Sequence, residues 1–305
     1  MKYGVCLPNY GEVSSKDGLR EVAIESEKLG YDSVWVTDHL LMPKQSETPY
    51  ETIFETITSL AYIAAFTSRV KLGISSLVIA LRNPLVVAKQ LATVDVLSGG
   101  RVMLAVGAGW NEKEYAYLGS NFHDRGKRES DAIRLIRSLS NFSDDRSVNH
   151  ASFEGKAIQN KFDVEANFKP RPIQKNRLKI WIAGVSRAAM KRATTLGDAW
   201  HPNVLPLEKF ANLVKEFRET PGARSKEICV RIALNYSAPK SIFKGPTGEK
   251  RITLCASESE NLQIMSELGK MGVTQMIVVP GADGKMAISD QIQSMRRFSE
   301  ENHLD

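Results

Sequence analysis

The sequence predicts a (β/α)8 barrel, the TIM-barrel class of α/β fold, from three observations. Short apolar segments alternate with amphipathic helical segments along the chain, which is the pattern of parallel strands joined by crossover helices. Eight strand segments are present, and eight βα units favour closure into a barrel. The strands are almost continuously apolar, which indicates a sheet covered on both faces. The predicted strands are residues 3–7, 33–37, 70–75, 102–106, 179–183, 198–201, 228–235 and 275–279.

The helices between these strands have readable ends. Asn83 suits the N-cap of the helix that follows the third strand, and Pro84 suits its first turn. Gly99 and Gly100 follow the apolar face of that helix, and Gly30 stops the first helix in the same way. These signals support the alternation of strands and helices that a barrel requires.

No linker divides the alternation, so residues 1–305 are expected to form a single barrel domain with insertion segments. One insertion covers residues 140–177 between the fourth and fifth strands, and a second covers 238–249. The first, with 38 residues, exceeds the roughly 12 to 15 residues usual for a connection without secondary structure, and the second, with 12, is as long as such connections usually are. In the first, three aromatic residues alternate with charges, which predicts a hairpin or a covering loop. They are Phe153, Phe162 and Phe168. We interpret both stretches as functional insertions, with a structural excursion as the alternative.

Charge and hydropathy exclude several classes of protein. The formal net charge is +6, but the 41 basic residues are dispersed among 35 acidic ones, so no nucleic-acid partner is expected. The excess of positive charge would suit an anionic cofactor or substrate, and chance variation would explain it equally well. No uncharged stretch approaches the roughly 18 residues that cross a bilayer, and no targeting segment is recognised. We therefore expect no membrane partner.

The three cysteines, Cys6, Cys229 and Cys255, are far apart and lack Cys-x-x-Cys spacing. This pattern predicts neither a disulfide framework nor a thiolate metal site, and it fits a reducing, cytoplasmic location. His201 ends the sixth strand, but the first strand has no paired histidines of the kind that metal-dependent barrel hydrolases use. No metal is therefore expected.

The second strand ends in Asp38 and His39. Barrel enzymes assemble their reaction sites at the carboxyl ends of strands, on loops held by a rigid scaffold. A histidine titrates near neutral pH, and Asp38 could orient it or stabilise its cation, so the pair suits general acid–base chemistry. Adjacent strand residues point to opposite faces, so both need not enter one pocket. A purely structural histidine is the alternative.

The fourth strand runs into Gly107, Ala108 and Gly109, and Trp110 and Glu114 follow. Glycines at this position let the backbone approach a flat or anionic ligand without Cβ collisions. The run lacks the third glycine and the later ribose acid of a dinucleotide fingerprint. A simple strand and turn would also explain these glycines.

The fifth strand enters a helix through Gly184, Val185, Ser186 and Arg187. Free backbone N–H groups at the start of the helix, the Ser186 hydroxyl and the Arg187 guanidinium together predict a phosphate site. The alternative is that Ser186 is only an N-cap.

Taken in this order, the segments resemble the luciferase-like monooxygenase superfamily, and within it the branch of oxidoreductases that depend on coenzyme F420. The resemblance spans nearly the whole chain and rests on the colinear set of segments rather than on any one of them. They are residues 30–39, 70–76, 83–85, 99–101, 107–111 with Glu114, 153–155, 170–174, 180–184 and 197–202.

The resemblance implies a flavin or deazaflavin ring in the barrel mouth, against a bulge on the third strand. In the family this bulge contains a non-proline cis peptide, which here falls at Ser75–Ser76. The resemblance assigns proton transfer to His39 or a neighbour such as Asp38, and it places Trp110 and Glu114 on the next wall. The cofactor-binding positions that it implies are Ser75, Ser76, Gly107, Ala108, Gly109, Gly184, Val185, Ser186, Arg187 and His201.

For function, the resemblance implies hydride transfer between coenzyme F420 and a small organic substrate. One alternative is an FMN-dependent monooxygenase, which would accept reduced flavin from a partner reductase and activate oxygen. Another is a non-catalytic flavin-binding barrel. In the best known deazaflavin dehydrogenases a carboxylate follows the fourth-strand glycines directly, whereas here Trp110 does. This departure argues against a sugar-phosphate dehydrogenase.

Two loops, residues 9–16 and 40–51, are expected to shape the substrate pocket, although no motif in them names a substrate. The candidate side chains in these loops are Tyr10, Glu12, Met42 and Tyr50. By analogy with relatives we expect a homodimer that associates through outer helices.

Overall fold

Strands and helices alternate through the residues that the computed structural model describes, which are 1–44, 48–140, 150–154, 161–165, 168–174, 178–245 and 248–304. The strands are β1 (Lys2–Cys6), β2 (Ser33–Val36), β3 (Lys71–Val78), β4 (Val102–Gly107), β5 (His150–Glu154), β6 (Lys161–Glu165), β7 (Ile180–Ala183), β8 (Ala199–His201), β9 (Glu227–Leu234), β10 (Ile242–Lys244), β11 (Lys250–Leu254) and β12 (Val273–Pro280). The helices are α1 (Lys16–Lys28), α2 (Thr56–Ala64), α3 (Pro84–Leu97), α4 (Glu112–Tyr117), α5 (Arg125–Ser140), α6 (Arg187–Thr195), α7 (Leu207–Glu219), α8 (Glu258–Lys270) and α9 (Ile288–Glu301).

Eight of these strands are parallel and close into a barrel. Their order is β1, β2, β3, β4, β7, β8, β9 and β12, and the pairing of β12 with β1 completes the ring. Each one corresponds to a predicted strand, so the predicted (β/α)8 barrel is confirmed. The largest difference is at β3, which continues to Val78 beyond a register shift between Ile74 and Leu77.

The helix ends follow the signals in the sequence. The Asn83 Oδ1 accepts hydrogen bonds from the N–H groups of Leu85 and Val86 at 3.0 and 3.4 Å, and α3 begins at Pro84. Gly30 follows α1 with a φ of +79°, a left-handed conformation that glycine adopts without strain. None of the described helices is both long and apolar enough to cross a bilayer.

Alternation along the strands divides the apolar side chains between two layers. On β2, Val34 and Val36 are buried in the main core with residues of the outer helices, whereas Trp35 between them belongs to a separate cluster inside the barrel. Trp35 stacks on Trp181 of β7 with ring centroids 4.7 Å apart. A Cβ at Gly73 would lie 2.2 Å from the Trp35 Cε3, so glycine at this position makes room for the indole.

Both insertions contain antiparallel strands. In the first, β5 pairs with β6, which confirms the predicted hairpin, and Phe168 packs against the main core. In the second, β10 pairs with β11, and β11 joins the carboxyl end of β9 through Thr253 and Leu254. That hairpin therefore lies beside the barrel mouth. Residues 141–149, 155–160, 166–167, 175–177 and 246–247 of the insertions lie outside the described residues, as do 45–47 of the predicted substrate loop.

Candidate active site

A cavity of about 490 Å³ opens at the carboxyl ends of β2, β3, β4 and β7. We name it the His39 cavity, because His39 stands in its wall. Part of the opposite wall consists of small residues on β4 and β7 and in the turns that follow them. They are Gly107, Ala108, Gly109, Ala183 and Gly184. The cavity has the location of a barrel active site and the size of a pocket for a cofactor or another small molecule.

His39 forms a buried pair with Glu114. The His39 Nδ1 lies 2.8 Å from the Glu114 Oε2, while the Glu114 Oε1 accepts hydrogen bonds from the backbone N–H groups of Leu40 at 2.6 Å and Leu41 at 3.3 Å. Burial raises the pKa of Glu114, but the bonds from His39 and the two N–H groups outweigh it and hold the pKa below its usual range. An ionised carboxylate only accepts hydrogen bonds. Nδ1 therefore donates to Glu114, and Nε2 is the ring nitrogen left for a ligand.

Helix α4 carries Glu114 to this position. Asn111 caps the helix, and its Oδ1 accepts a hydrogen bond from the Glu114 N–H at 3.4 Å. The rings of Tyr50 and Trp110 flank the imidazole, with centroids 4.8 and 5.7 Å from that of His39. Of the predicted catalytic residues, the fold thus brings His39, Trp110 and Glu114 together.

Asp38 lines the same cavity but does not orient His39, which corrects the expectation from the sequence. Its Oδ1 accepts a hydrogen bond from the Arg82 Nη2 at 2.7 Å, and its Oδ2 accepts from the Arg82 Nη1 and the Val78 N–H, each at 2.8 Å. Burial raises the pKa of Asp38, while Arg82 and the Val78 N–H oppose this rise. Although Asp38 and His39 are consecutive, their side chains have different partners. Asp38 contacts β3 and Arg82, whereas His39 is hydrogen-bonded to Glu114. Asp38 therefore ties the end of β2 to β3.

The bulge on β3 is held by His201. The Ser75–Ser76 peptide is cis, as the resemblance implied, and the Ser75 Oγ lies 2.8 Å from the His201 Nε2. The His201 Nδ1 donates to the Cys229 carbonyl oxygen at 2.7 Å, so Nε2 accepts from the Ser75 hydroxyl. Burial lowers the pKa of His201 to about 4, with a further contribution from Arg231, and the ring is neutral near pH 7. His201 lies beneath Ser75 instead of lining the cavity.

Arg231 reaches the bulge from β9. Its Nη1 donates to the Ser75 carbonyl oxygen at 2.5 Å, and its Nη2 donates to the Thr37 Oγ1 at 2.9 Å and to the Cys6 Sγ at 3.5 Å. Burial lowers the pKa of Arg231, but contacts with Cys6 and Tyr10 outweigh this and raise it overall. The guanidinium is therefore charged, and it stands in the wall of the His39 cavity.

The glycines in the wall of small residues lie close to the bulge on β3. A Cβ at Gly107 would lie 3.0 Å from the Ser76 Oγ, and a Cβ at Gly109 would lie 2.7 Å from the Val78 Cγ1. Gly109 also has a φ of +73°, which side-chain-bearing residues rarely adopt. A side chain at either position would collide with the bulge, so the glycines allow β4 and the turn after it to pack closely against β3.

The far end of the His39 cavity is formed by the N-termini of α5 and α6. The Ser186 Oγ caps α6 and accepts a hydrogen bond from the Ala189 N–H at 3.2 Å, and other N–H groups of the first turn have no helical partner. The Arg192 guanidinium faces the same space, with its Nε 2.9 Å from the Glu129 Oε2. Burial raises the pKa of Glu129 to about 7, although Arg192 opposes this rise. Helix starts with an arginine between them attract an anion.

Two predicted phosphate-binding residues lie outside the cavity. The Arg187 side chain is 91% exposed, and its Nε lies 2.5 Å from the Glu216 Oε1. Val185 is also exposed and does not line the cavity. The helical period explains the correction for Arg187, because Ala188 and Arg192, four residues apart, share the face of α6 that meets the cavity. Arg192 takes the place that was predicted for Arg187.

A second cavity of about 540 Å³, the Tyr10 cavity, lies beside the first. Tyr10, Glu12 and Tyr50 line it as expected, whereas Met42 lines neither cavity. The Met42 Sδ instead accepts a hydrogen bond from the Asn111 Nδ2 at 3.7 Å. Four residues line both cavities and therefore stand at their junction. They are Tyr50, Asn203, Arg231 and Arg251.

Comparison with known proteins identifies the family. A family model described as luciferase-like monooxygenase matches residues 1–238, which is more than half of the chain. The chain belongs to the luciferase-like monooxygenase family. The family resemblance is thus confirmed, and the predicted class of oxidoreductase is confirmed at the level of the family.

Individual relatives differ in their cofactors. The F420-dependent glucose-6-phosphate dehydrogenase of Amycolatopsis mediterranei is 34% identical over 189 residues, 60% of this chain and 52% of that protein, so the chain spans about half the length of this relative. The FMNH(2)-dependent dimethylsulfone monooxygenase of Pseudomonas putida is 28% identical over 184 residues, 59% of this chain and 47% of that protein. An F420-dependent secondary alcohol dehydrogenase, solved with an F420–acetone adduct, superposes with a TM-score of 0.75 at 19% identity over 97% of both chains. This last likeness shows the fold.

Sequence reasoning missed the four arginines of this luciferase-like protein that line the His39 cavity, which are Arg125, Arg192, Arg231 and Arg251. Arg231 carries a signal, because it is the one charged residue in the apolar run 228–235. A charge inside a barrel strand needs polar partners or a ligand. Arg192 has no comparable signal, since the sequence does not distinguish it from the exposed Arg187.

Proposed function

We propose that this protein is an oxidoreductase that binds a flavin or deazaflavin in the His39 cavity and transfers a hydride between the ring and a small organic substrate. The proposed cofactor is coenzyme F420. The observation that carries the proposal is the buried His39–Glu114 pair, which leaves one imidazole nitrogen for a ligand in a cavity walled by glycines. Hydride transfer to or from a carbonyl or alcohol requires a proton-exchanging group beside a cavity that can hold the cofactor and the substrate, and His39 stands in the wall of such a cavity.

The cavity offers separate features for the ring and for the phosphate of the cofactor. The wall of Gly107 and Gly184, beside the Ser75–Ser76 bulge, would hold the ring by van der Waals contact. The start of α6 and the Arg192 guanidinium would hold the phosphate, because N–H groups and guanidinium both bind oxyanions. Four arginines line this cavity, and Asp38 is the one carboxylate among its described lining residues. This balance supports an anionic cofactor.

The chain's own groups would handle the proton. The ring, when bound, supplies the atom that accepts or gives up the hydride. His39 gives a proton to the substrate oxygen or removes one from it through Nε2. Glu114 keeps Nδ1 as the donor, fixes the orientation of the imidazole, and stabilises its cation after His39 takes up a proton. Tyr50 and Trp110 pack against the imidazole and limit its rotation.

A second candidate is an FMN-dependent monooxygenase that receives reduced flavin from a partner reductase. It is favoured by Trp110, which occupies the position of the carboxylate of the best known deazaflavin dehydrogenases, and by the similarity to the monooxygenase of Pseudomonas putida. Coenzyme F420 is preferred because its acidic tail adds charge that Arg125 and Arg192, at the far end of the cavity, would match, and because the dehydrogenase of Amycolatopsis mediterranei is similar.

Fluorescence titration of the purified protein with coenzyme F420 and with FMN tests the choice of cofactor. We expect micromolar or tighter binding of coenzyme F420 and weaker binding of FMN. Arg192→Gln should weaken the binding about tenfold, because the phosphate loses a charge-assisted hydrogen bond. Tighter binding of FMN would select the monooxygenase candidate. The absence of binding by either cofactor would refute the proposed function.

His39→Asn tests the proton-transfer step. Turnover of the loaded protein on a panel of small alcohols, aldehydes and organic acids should fall about 10² to 10⁴-fold, the usual effect of losing a general acid–base group, while the cofactor titration stays unchanged. His303→Asn is the matched control, because His303 is exposed and its φ of 51° suits asparagine. Equal turnover of His39→Asn and the native protein would remove His39 from the mechanism.

Glu114→Gln tests whether the carboxylate positions His39. The amide keeps the shape but loses the charge that selects the tautomer, so turnover should fall about 10 to 100-fold with the cofactor affinity unchanged. Glu112→Gln, an exposed change on the same helix, should leave both quantities unaltered. If both variants reduced turnover equally, the loss would reflect α4 as a whole and not the hydrogen bond to His39.

A further inference from the structure

The arginines of the His39 cavity fall into two pairs at different places. Arg125 and Arg192 lie at the end formed by α5 and α6, and they line only this cavity. Arg231 and Arg251 line the Tyr10 cavity as well, so they stand at the junction. Under the proposed function, the cofactor phosphate would lie at the end formed by α5 and α6. The second pair of guanidinium groups therefore needs a different explanation.

Arg231 carries a charge that its protein partners do not balance. Its hydrogen bonds end on a carbonyl oxygen, two hydroxyls and a thiol, those of Ser75, Thr37, Tyr10 and Cys6. No carboxylate of the described residues lies within ion-pair distance of it, although Asp38 nearby is paired with Arg82. Neutral acceptors satisfy the N–H groups but leave the positive charge uncompensated in the barrel mouth, which is unfavourable until an anion arrives.

Arg251 lines the same junction. Its Nη2 contacts Glu249, and its Nε, which has no hydrogen-bond acceptor among the described residues, is buried beside Gly245. The backbone around it is fixed, because Ile252 donates to the Val204 carbonyl oxygen at 3.0 Å and Thr253 pairs with β9. The strand that carries Arg251 is thus attached to the strand that carries Arg231.

We propose that the junction of the two cavities is an oxyanion subsite, in which Arg231 and Arg251 bind the carboxylate of a small organic acid that is the substrate. A guanidinium group recognises a carboxylate through parallel N–H donors, and two of them at one point select an anion over a neutral isostere. The rest of the acid extends into the Tyr10 cavity, where Tyr10, Phe243 and Ile252 supply apolar surface. The inference rests on the proposed function, because it names the substrate class of the same site.

This subsite is tested by comparing the binding of butyrate with that of its neutral isostere butyramide. Isothermal titration and ligand-detected NMR measure both affinities on the protein with and without FMN. The native protein should bind butyrate at least about tenfold more tightly than butyramide. Arg231→Gln and Arg251→Gln should each weaken butyrate binding about tenfold or more and leave butyramide binding unchanged. Arg231→Lys, which keeps the charge, should retain part of the preference.

Two control variants separate this inference from the proposed function. Arg192→Gln changes the other end of the His39 cavity, so it should weaken cofactor binding without changing the affinity for butyrate. Arg134→Gln, an exposed change on α5, should alter neither. A protein that prefers butyrate in this pattern but binds neither coenzyme F420 nor FMN would keep the subsite and lose the proposed function.

Three results would overturn the subsite. In the first, the native protein binds butyrate and butyramide with equal affinity. In the second, Arg231→Gln and Arg251→Gln bind butyrate as tightly as the native protein does. In the third, Arg192→Gln loses butyrate binding while Arg231→Gln and Arg251→Gln keep it. Circular dichroism checks that each variant is folded. If Arg231→Gln fails to fold, Arg251→Gln and Arg231→Lys decide the question, because Arg251 lies on the outer hairpin and the lysine preserves the charge.

Discussion

The barrel interior and the barrel mouth are stabilised in different ways. Beneath the mouth, Trp35 and Trp181 stack inside a ring of small and apolar residues, and the fit depends on shape. At the mouth, Asp38 with Arg82 and His39 with Glu114 form buried charged or hydrogen-bonded pairs, and stability depends on each group keeping its partner. We therefore expect the interior to respond to changes in side-chain volume and the mouth to respond to changes in charge and pH.

The largest expected effect comes from removing Arg82. Arg82→Met leaves the Asp38 carboxylate, whose side chain is fully buried, without its counter-charge, and breaking a buried pair in this way costs about 3 to 5 kcal/mol. The free energy of unfolding, measured by urea denaturation at pH 7, gives the loss. The loss should shrink as the pH falls, because burial raises the pKa of Asp38 and protonation removes the unpaired charge.

The matched control is Lys179→Met. Lys179 pairs with Glu227 at 3.1 Å, but the two side chains are 54% and 42% exposed, so this change should alter the free energy of unfolding by less than about 1 kcal/mol. If both variants lost the same amount, or if the loss at Arg82 did not depend on pH, the mouth would not depend on its charge pairs as argued.

Gly73→Ala tests the interior. The new Cβ would lie 2.2 Å from the Trp35 ring, and overpacking of this kind costs about 1 to 3 kcal/mol. The loss should not depend on pH between 5 and 8, because no titrating group takes part. Adding Trp35→Phe to Gly73→Ala should recover part of the lost stability, because the side chains at residues 35 and 73 compete for the same volume. Gly269→Ala on α8, where a Cβ meets nothing within 4 Å, should leave the stability equal or slightly higher.

The last expected effect concerns Glu129, which links the mouth to α5. Burial raises its pKa from 4.5 to about 7, so the folded protein binds a proton more tightly than the unfolded chain does. The stability due to this group is fully present below pH 4.5 and is lost as the pH rises through 7. The free energy of unfolding of the native protein, relative to Glu129→Gln, should therefore decline across this window. A constant difference between the two proteins would exclude the titration of Glu129.

Most of the fold could be predicted from the sequence, because strand and helix periods are local. The strand at β2 is a good example, since an apolar run after Gly30 and before Asp38 locates it without reference to the rest of the chain. The bulge at Ser75–Ser76 was predicted through the family resemblance and not through a local signal. Chain order also placed His39 and Glu114 at the same end of the barrel.

The partners within the site could not be predicted in the same way, because they depend on contacts between distant segments. Asp38 seemed the natural partner of His39 from its position in the sequence, whereas Glu114, 75 residues away, makes the bond. Arg82 and Arg192 resemble any surface arginine until the barrel closes. Arg231 is the exception, since a lone charge in a strand signals a polar environment.

The shared wall between the two cavities has a consequence for how ligands occupy them. Tyr50, Asn203, Arg231 and Arg251 belong to both linings, so an occupant of one compartment alters the surroundings of the other. Thermodynamic reciprocity then applies: the factor by which the first occupant changes the affinity for the second equals the factor in the reverse order. A single coupling constant therefore describes both orders of addition.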